Sequence, residues 1–392
     1  MSRITADRMA LPHGARVVVA MSGGVDSAVT AALLHEAGFE VVGITLQLYD
    51  HGAATAKKGA CCAGQDIKDA RNVADAIGIP HYVLDFEARF RAAVIDDFAA
   101  SYAAGRTPIP CVRCNETIKF TDLLGVAQDL GAAALATGHY ARRIGGALGA
   151  ELWRAADPAK DQSYFLFATR QAQLDYVRFA LGDLDKETTR REAERLALPV
   201  AAKPESQDIC FVPEGHYSRV VEKLRPAAMR RGDILHVDGR RLGEHQGIGR
   251  YTVGQRRGLG VADGERLYVV GVDAEAATVR VGPRRAGLVA SVEVTDLNWL
   301  GKSEVPPTVA IKHRYNEPAV SGAIRLTGDG RAVLTFEKAE SGVAPGQAAV
   351  VYDGERVLGG GWIEKARPLA SRASDPLAEV PVDPLAGGRL TA

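Results

Sequence analysis

Residues Val17–Val29, VVVAMSGGVDSAV, constrain this chain more than any other stretch. Val17–Ala20 read as a buried strand, Gly23 and Gly24 as a tight turn, and a helix follows from about Ser27 through Leu34. A strand that enters a helix through glycines leaves backbone N–H groups converging on one point, with the positive end of the helix dipole behind them. That is an anion site, and its tightness suits phosphate. It is not a Walker A loop. No lysine follows Gly24, and the Gly-Lys-Ser at 301–303 has Asp296 where the first glycine belongs. Ser22 and Ser27 can donate to phosphate oxygens, whereas Asp26 makes sense beside phosphate only with a divalent cation between them. The plain alternative is a glycine turn closed by an Asp or Ser helix cap.

At 392 residues the chain exceeds what one core organises, so two or three domains are expected. Its 48 basic residues balance 48 acidic ones, so net charge gives no support for a polyanion partner, although a local basic face stays open. Five cysteines are too few for a disulfide scaffold and point to thiol or metal chemistry in a reducing compartment. No run of about 18 apolar residues suggests a membrane span, and residues 1–14 read as a loosely held leader without a secretory core. A cytoplasmic location is the default.

Strand and helix patterns alternate to about residue 140. The strands are 17–20, 41–46, 82–84 and 133–137; the helices are 66–77, 86–104 and 115–130. This predicts an α/β fold with an open, doubly wound parallel sheet and ligands at the carboxyl ends of its strands. Residues 50–64, with Lys57, Lys58, Cys61 and Cys62, read as a loop, and 142–154 as a hairpin. Helices are expected at 171–181 and 188–196, with a short strand between Pro199 and Pro204. From about 220 short strands take over: 233–237, 249–253, 266–272 and 278–281, then 289–295, 308–312, 322–326, 332–336 and 348–352. The later run suggests a small β-barrel. Arginines crowd the earlier one, Arg256 and Arg257 among them; a solvated charged face is the bland account, an RNA-lining groove the other. Residues 366–392 read as a disordered tail.

Three further segments carry chemistry: Gly105–Phe120 with Cys111-Val112-Arg113-Cys114, Ala136–Tyr140 at a strand end, and Ser206–Phe211 with Cys210. Cys114 at a helix start, with Arg113 beside it, predicts a lowered thiol pKa. Ser-Gly-Gly-x-Asp-Ser after a strand resembles the signature of the ATP pyrophosphatases. All four motifs in order resemble the bacterial tRNA-specific 2-thiouridylase family, over about Val17–Ile363.

The resemblance implies ATP with Mg²⁺, adenylylation of the C2 oxygen of a tRNA wobble uridine, and replacement of that oxygen by sulfur from a persulfide-carrying relay protein. It implies phosphate binding by Ala20, Met21, Ser22, Gly23, Gly24, Val25, Asp26 and Ser27, and nucleoside contacts by Leu46 (where relatives often carry Met) and Gly138. Cys114 would be the nucleophile and Cys210 the persulfide carrier, the two ending as a disulfide. His139, Lys160, Asp161, Gln162, Arg314, Tyr315 and Gln347 fall on positions associated with tRNA. The implied domains are a catalytic unit over 1–218, a small central domain over 219–284 and a C-terminal β-barrel over 285–365.

The sequence departs from better-known relatives at Cys111, where they carry aspartate. Cys111, Cys114 and Cys210 could instead ligate a [4Fe–4S] cluster with one iron open to sulfide, and a structural zinc with Cys61 or Cys62 is a weaker alternative. Two rivals remain at this stage. Another pyrophosphate-releasing ATPase would not depend on both cysteines, and an RNA-binding module with a vestigial nucleotide site would not turn over ATP.

Overall fold

The computed structural model describes residues 4–49, 62–205, 209–212, 216–301 and 305–369. The first strands are β1 Arg16–Ala20, β2 Glu40–Gln47, β3 His81–Asp85 and β4 Ala134–Thr137, followed by a hairpin of β5 Arg142–Gly146 and β6 Gly149–Trp153, and then β7 Val177–Phe179. A parallel sheet in the order β3-β2-β1-β4-β7 forms the N-terminal layer. Side-chain alternation along each strand feeds two cores. Val17, Val19, Val41, Ala134 and Ala136 pack with the helix Val25–Glu36 on one face. Val18, Val42, Ile44 and Leu135 meet Phe120, Leu123 and Leu124 on the other. The doubly wound expectation holds.

Chain order reverses at β1, with β2 and β3 to one side and β4 and β7 to the other. Such a switch point opens a crevice at the carboxyl ends of the two central strands. It is where Met21–Gly24 and Gly138 lie.

The central unit is a sheet in the order β10-β11-β8-β9, from β8 Gly232–His236, β9 Arg241–His245, β10 Tyr268–Asp273 and β11 Thr278–Gly282. The C-terminal unit comprises β12 Leu288–Trp299, β13 Val309–Lys312, β14 Val320–Gly328, β15 Arg331–Ser341, β16 Ala348–Asp353 and β17 Arg356–Pro368. It runs β12-β15-β14-β13-β16-β17 and closes through a β12–β17 pairing into a six-strand barrel. Closure leaves no free edge. The β5–β6 hairpin joins this barrel through Arg356 and Trp153, tying the first unit to the last.

Several sequence expectations need correction. Residues 4–14 are not loose: Ala6–Met9 is a helical turn, Ile4 and Met9 are buried, and Arg178 donates to the Met9 carbonyl. The helix expected over 171–181 stops at Tyr176, because Val177–Phe179 is drawn into the sheet as its fifth strand. Residues 200–202 form a turn rather than a strand. Gly249–Val253 is also not a strand; Ile248–Arg250 is a 3-10 turn, and the missing strand is β9. The last barrel strand, Arg356–Pro368, lies beyond the predicted strands and runs into 366–368, the start of the predicted tail. The remainder of that tail, with Lys57, Lys58, Cys61 and Ser206–Asp208, lies outside the described residues. Cys62 begins the helix Cys62–Ile77, four residues earlier than expected.

Candidate active site

The loop after β1 is shaped by one glycine. Gly23 adopts φ +73°, and a Cβ there would lie 2.2 Å from the Asp66 carbonyl oxygen. Only glycine fits. Gly24 is the N-cap of Val25–Glu36 and supplies no side-chain cap, so the first helical turn keeps its outward N–H groups for a ligand. Ser27 Oγ accepts from the Ser22 N–H at 3.1 Å and donates to the Gly24 carbonyl at 3.1 Å, fixing the curl of the loop. A Cβ at Gly138 would come within 2.9 Å of the Ser27 nitrogen, so the end of β4 closes directly over the helix start. Leu46, near the end of β2, is half-buried between the sheet core and the cysteine-bearing cluster.

Two lysines that the sequence reading missed surround the loop, together with Tyr140 of the segment at the end of β4. Asp26 Oδ1 accepts from Lys186 Nζ at 2.7 Å and from the Tyr140 hydroxyl at 2.9 Å. Its other carboxylate oxygen has no protein partner among the described residues and suits a metal ion arriving with a nucleotide. Lys203 Nζ holds the Gly23 carbonyl at 3.0 Å and pairs with Asp66 and Asp69. Two lysines therefore flank the glycine loop, and their carboxylate partners keep both near it. Nothing in local sequence pattern marks them, because each reaches the loop from a segment far along the chain.

The cysteine helix departs most from expectation. Pro110–Arg113 is α-helical, Cys114–Leu123 is wound as a π-helix, and Leu124–Asp129 returns to α. Cys114 thus lies one turn inside a helix and is buried, and desolvation raises its thiol pKa instead of lowering it. Arg113 is engaged elsewhere: it pairs with Glu116 at 2.9 Å and stacks over Trp362 at 4.4 Å, pinning the helix to the barrel. Cys114 packs in one hydrophobic cluster with Phe211, and Ile209 packs against the same cluster. Phe211 is wedged between Phe90 and Phe98 at centroid distances of 5.8 and 5.3 Å. That wedge brings Cys210 up to the cysteine helix.

Burial pushes the Cys210 thiol up to about 12, and Cys114 and Cys111 add to the shift, so the three thiols lie within electrostatic reach of one another. Cys111 and Cys210 are exposed to solvent and all three are free thiols. Exposure and desolvation coexist here: solvent reaches one side of each exposed thiol while protein crowds the rest. Among the described residues, no group of three or more His, Cys, Asp or Glu could hold a metal ion, so the cysteines do not form the ligand set a cluster would need. With raised pKa values, alkylation of the three thiols by iodoacetamide is expected to be slow at pH 7 and to keep rising above pH 9, where an ordinary thiol levels off. A profile flattening near pH 8.5 would contradict this.

The positions that the family resemblance links to tRNA divide into two groups. His139, beside Lys119, is tied to Thr137 at 2.8 Å, and burial with Lys119 holds it neutral. Tyr315 lies on Phe165 at 4.3 Å and is near enough to Cys111 to feel its charge. Tyr315 therefore lies on the thiol side, and His139 packs between Phe120 and Phe179 beside Lys119. The others brace the frame: Gln347 donates to the Thr107 carbonyl at 3.0 Å, Arg314 to the Val253 carbonyl at 3.1 Å, and Gln162 accepts from the Tyr140 N–H at 2.9 Å. Asp161 is buried at a turn and accepts from the Ser163 and Ala155 N–H groups, and Lys160 pairs with Glu205 at 2.7 Å. In the central unit Arg240, Arg241 and Arg250 are paired with carboxylates, and Arg285 just beyond it reaches back to Glu265, whereas Arg256 and Arg257 have no ion pair among the described residues.

A strand, glycine turn and uncapped helix at the switch point of a parallel sheet, with a sulfur-bearing cluster adjoining it, define an α/β protein of the PP-loop type. Residues 15–214 match the family described as tRNA methyl transferase HUP domain, 219–283 its PRC-barrel domain, and 289–363 an aminomethyltransferase β-barrel domain. Tested against curated proteins, the chain belongs to the tRNA-specific 2-thiouridylase family. It is 60% identical to tRNA-specific 2-thiouridylase MnmA of Rhodospirillum centenum over 97% of this chain and 98% of that protein. With the protein of the same name from Maricaulis maris it shares 62% identity over 90% of this chain and 88% of the other. A 4-thiouridine synthetase–RNA complex with bound ATP aligns more loosely, at 15% identity and a TM-score of 0.33, over 55% of this chain and 52% of that one. No helix among the described residues is long and apolar enough to cross a membrane.

Proposed function

We propose that this protein is an ATP-dependent tRNA-uridine 2-sulfurtransferase acting on the wobble uridine, releasing AMP and diphosphate. The observation that carries the reading is the meeting of Cys114 with the Cys210 segment in one cluster, with Leu46 linking that cluster to the sheet core whose glycine loop is flanked by two lysines. Residues 20–27 would hold the phosphates of ATP with Mg²⁺, the second carboxylate oxygen of Asp26 would be available to the metal to offset phosphate charge, and Leu46 and Gly138 would border the nucleoside. A uridine C2 oxygen is a poor leaving group. Transfer of AMP to it, with departure of diphosphate from ATP, turns it into a phosphate ester that can leave.

Sulfur then enters from a persulfide on Cys210, loaded by a relay protein. Either its outer sulfur attacks C2, or Cys114 attacks the inner sulfur and frees sulfide to do so. In both routes AMP departs with the former C2 oxygen, the transferred sulfur is reduced, and the two cysteine thiols are oxidised to a disulfide that an external thiol must reset. The base has to be unstacked to reach this centre, and Tyr315 on Phe165 offers it an aromatic surface. We assign catalysis to residues 1–218, RNA contact to 219–284, with Arg256 and Arg257 foremost, and barrel support to 285–365, in a cytoplasmic protein.

The test is mass spectrometry of tRNA nucleosides after reaction with purified protein, ATP and a sulfur source. The expected product is 2-thiouridine at the wobble position, with one AMP per thiolation; no thiolated uridine, or a different base, overturns the reading. Asp26→Ala is expected to cut AMP formation by about two orders of magnitude while tRNA affinity holds, consistent with loss of an electrostatic contact to the leaving group. Unaltered AMP formation would remove Asp26 from the site.

A further inference from the structure

Among the described residues, Lys119 is the one cation whose charge acts on all three thiols and on His139. Its Nζ donates to Asn115 Oδ1 at 3.0 Å, and Asn115 Nδ2 is anchored in turn on the Phe165 carbonyl at 3.1 Å. Among the described residues it makes no ion pair, unlike Lys160, Lys186 and Lys203 around the phosphate loop. A half-buried lysine held by an uncharged amide leaves its charge uncompensated.

The winding of the helix explains its aim. At 100° per residue, an α-helix would put Lys119 about 140° around from Cys114. The π-helical segment closes i→i+5 bonds, such as Leu124 N–H to the Lys119 carbonyl, and so brings residues five apart onto one side. Lys119 lowers the thiol pKa of each of Cys111, Cys114 and Cys210 against the larger effect of burial, which records its proximity to all three.

We infer that Lys119 is a positioning residue for sulfur transfer, the fixed counter-charge for the negative sulfur that passes among the cysteines. The inference rests on the 2-thiolation reading for its purpose, but not for its test. The groups facing these thiols are Lys119, the other two thiols and, for Cys210, the Tyr49 hydroxyl; Tyr315 feels Cys111 from the barrel side. Among the described residues no other cation acts on the three thiols, and the neighbouring Arg113 is committed to Glu116 and Trp362.

The experiment is site-resolved iodoacetamide alkylation of Lys119→Met and Lys119→Arg at pH 8, read peptide by peptide. Loss of one charge is expected to raise each thiol pKa by about one unit. A tenfold smaller thiolate fraction, offset by greater intrinsic nucleophilicity, gives alkylation about three- to fourfold slower in Lys119→Met. Lys119→Arg should restore the rate, which a purely structural role would not. Wild-type alkylation in Lys119→Met, or no recovery in Lys119→Arg, overturns the inference. Alkylation reports on the charge whether or not the wild-type protein thiolates tRNA, so failure of the functional reading shows separately in the nucleoside assay.

Discussion

Cys210→Ser and Cys114→Ser are each expected to reduce wobble thiolation to background while AMP and diphosphate continue to form on bound tRNA. Serine keeps the size and hydrogen-bonding capacity of cysteine but cannot carry a persulfide or close a sulfur–sulfur bond. The division of labour makes the effect separable. The residues proposed to adenylylate lie at the switch point between β1 and β4, and those proposed to carry sulfur in the cluster around Phe211, with Leu46 packed against both cores. Cys111→Ser tests the departure from the common aspartate. Its thiol is exposed and outside the two-cysteine relay, so thiolation should persist within a few-fold. Thiolation surviving in Cys114→Ser or Cys210→Ser, scored by nucleoside mass spectrometry, would strike that cysteine from the chemistry.

The phosphate loop was legible because its cause is local: a buried strand, a glycine with no alternative and a helix start lie within a dozen residues. The same holds for the alternating strands of the sheet and for most of the barrel. What escaped was set by partners distant in sequence. Val177–Phe179 reads as the end of a helix until pairing with β4 claims it. Ile4 and Met9 look like leader until the core that buries them is assembled. The cysteine helix shows a third limit. Residue pattern predicts its existence but not its π winding, and so places Cys114 at a helix start with Arg113 beside it as the pKa-lowering cation. Burial reverses the direction of the pKa shift, and the winding substitutes Lys119 for Arg113. Lys186 and Lys203 were invisible for the same reason as β7: only the folded chain brings them to Asp26 and Gly23.

Gly23→Ala and Gly24→Ala should behave oppositely although the two residues are neighbours. Gly23 sits at φ +73°, where an L-residue costs about 1–2 kcal/mol, and its new Cβ would press to 2.2 Å on the Asp66 backbone oxygen. The neighbour cannot yield cheaply, because Asp66 is helix backbone and its side chain is held by Lys203. Relief requires the loop to open, which moves the very N–H groups that would meet phosphate. The expected result is a lowered melting temperature and AMP formation down by about two orders of magnitude, as for other losses of preorganised contacts. Gly24 has φ −93° and ψ 166°, ordinary extended backbone, and a Cβ there would find only Ser22 Oγ at 3.5 Å. Its alanine variant should melt within about 0.5 kcal/mol of wild type. Equal damage from both substitutions would mean that the curvature of this loop does not depend on the left-handed turn at Gly23; ATP loss in a normally stable Gly24→Ala would mean that phosphate itself approaches to within a methyl group of that position.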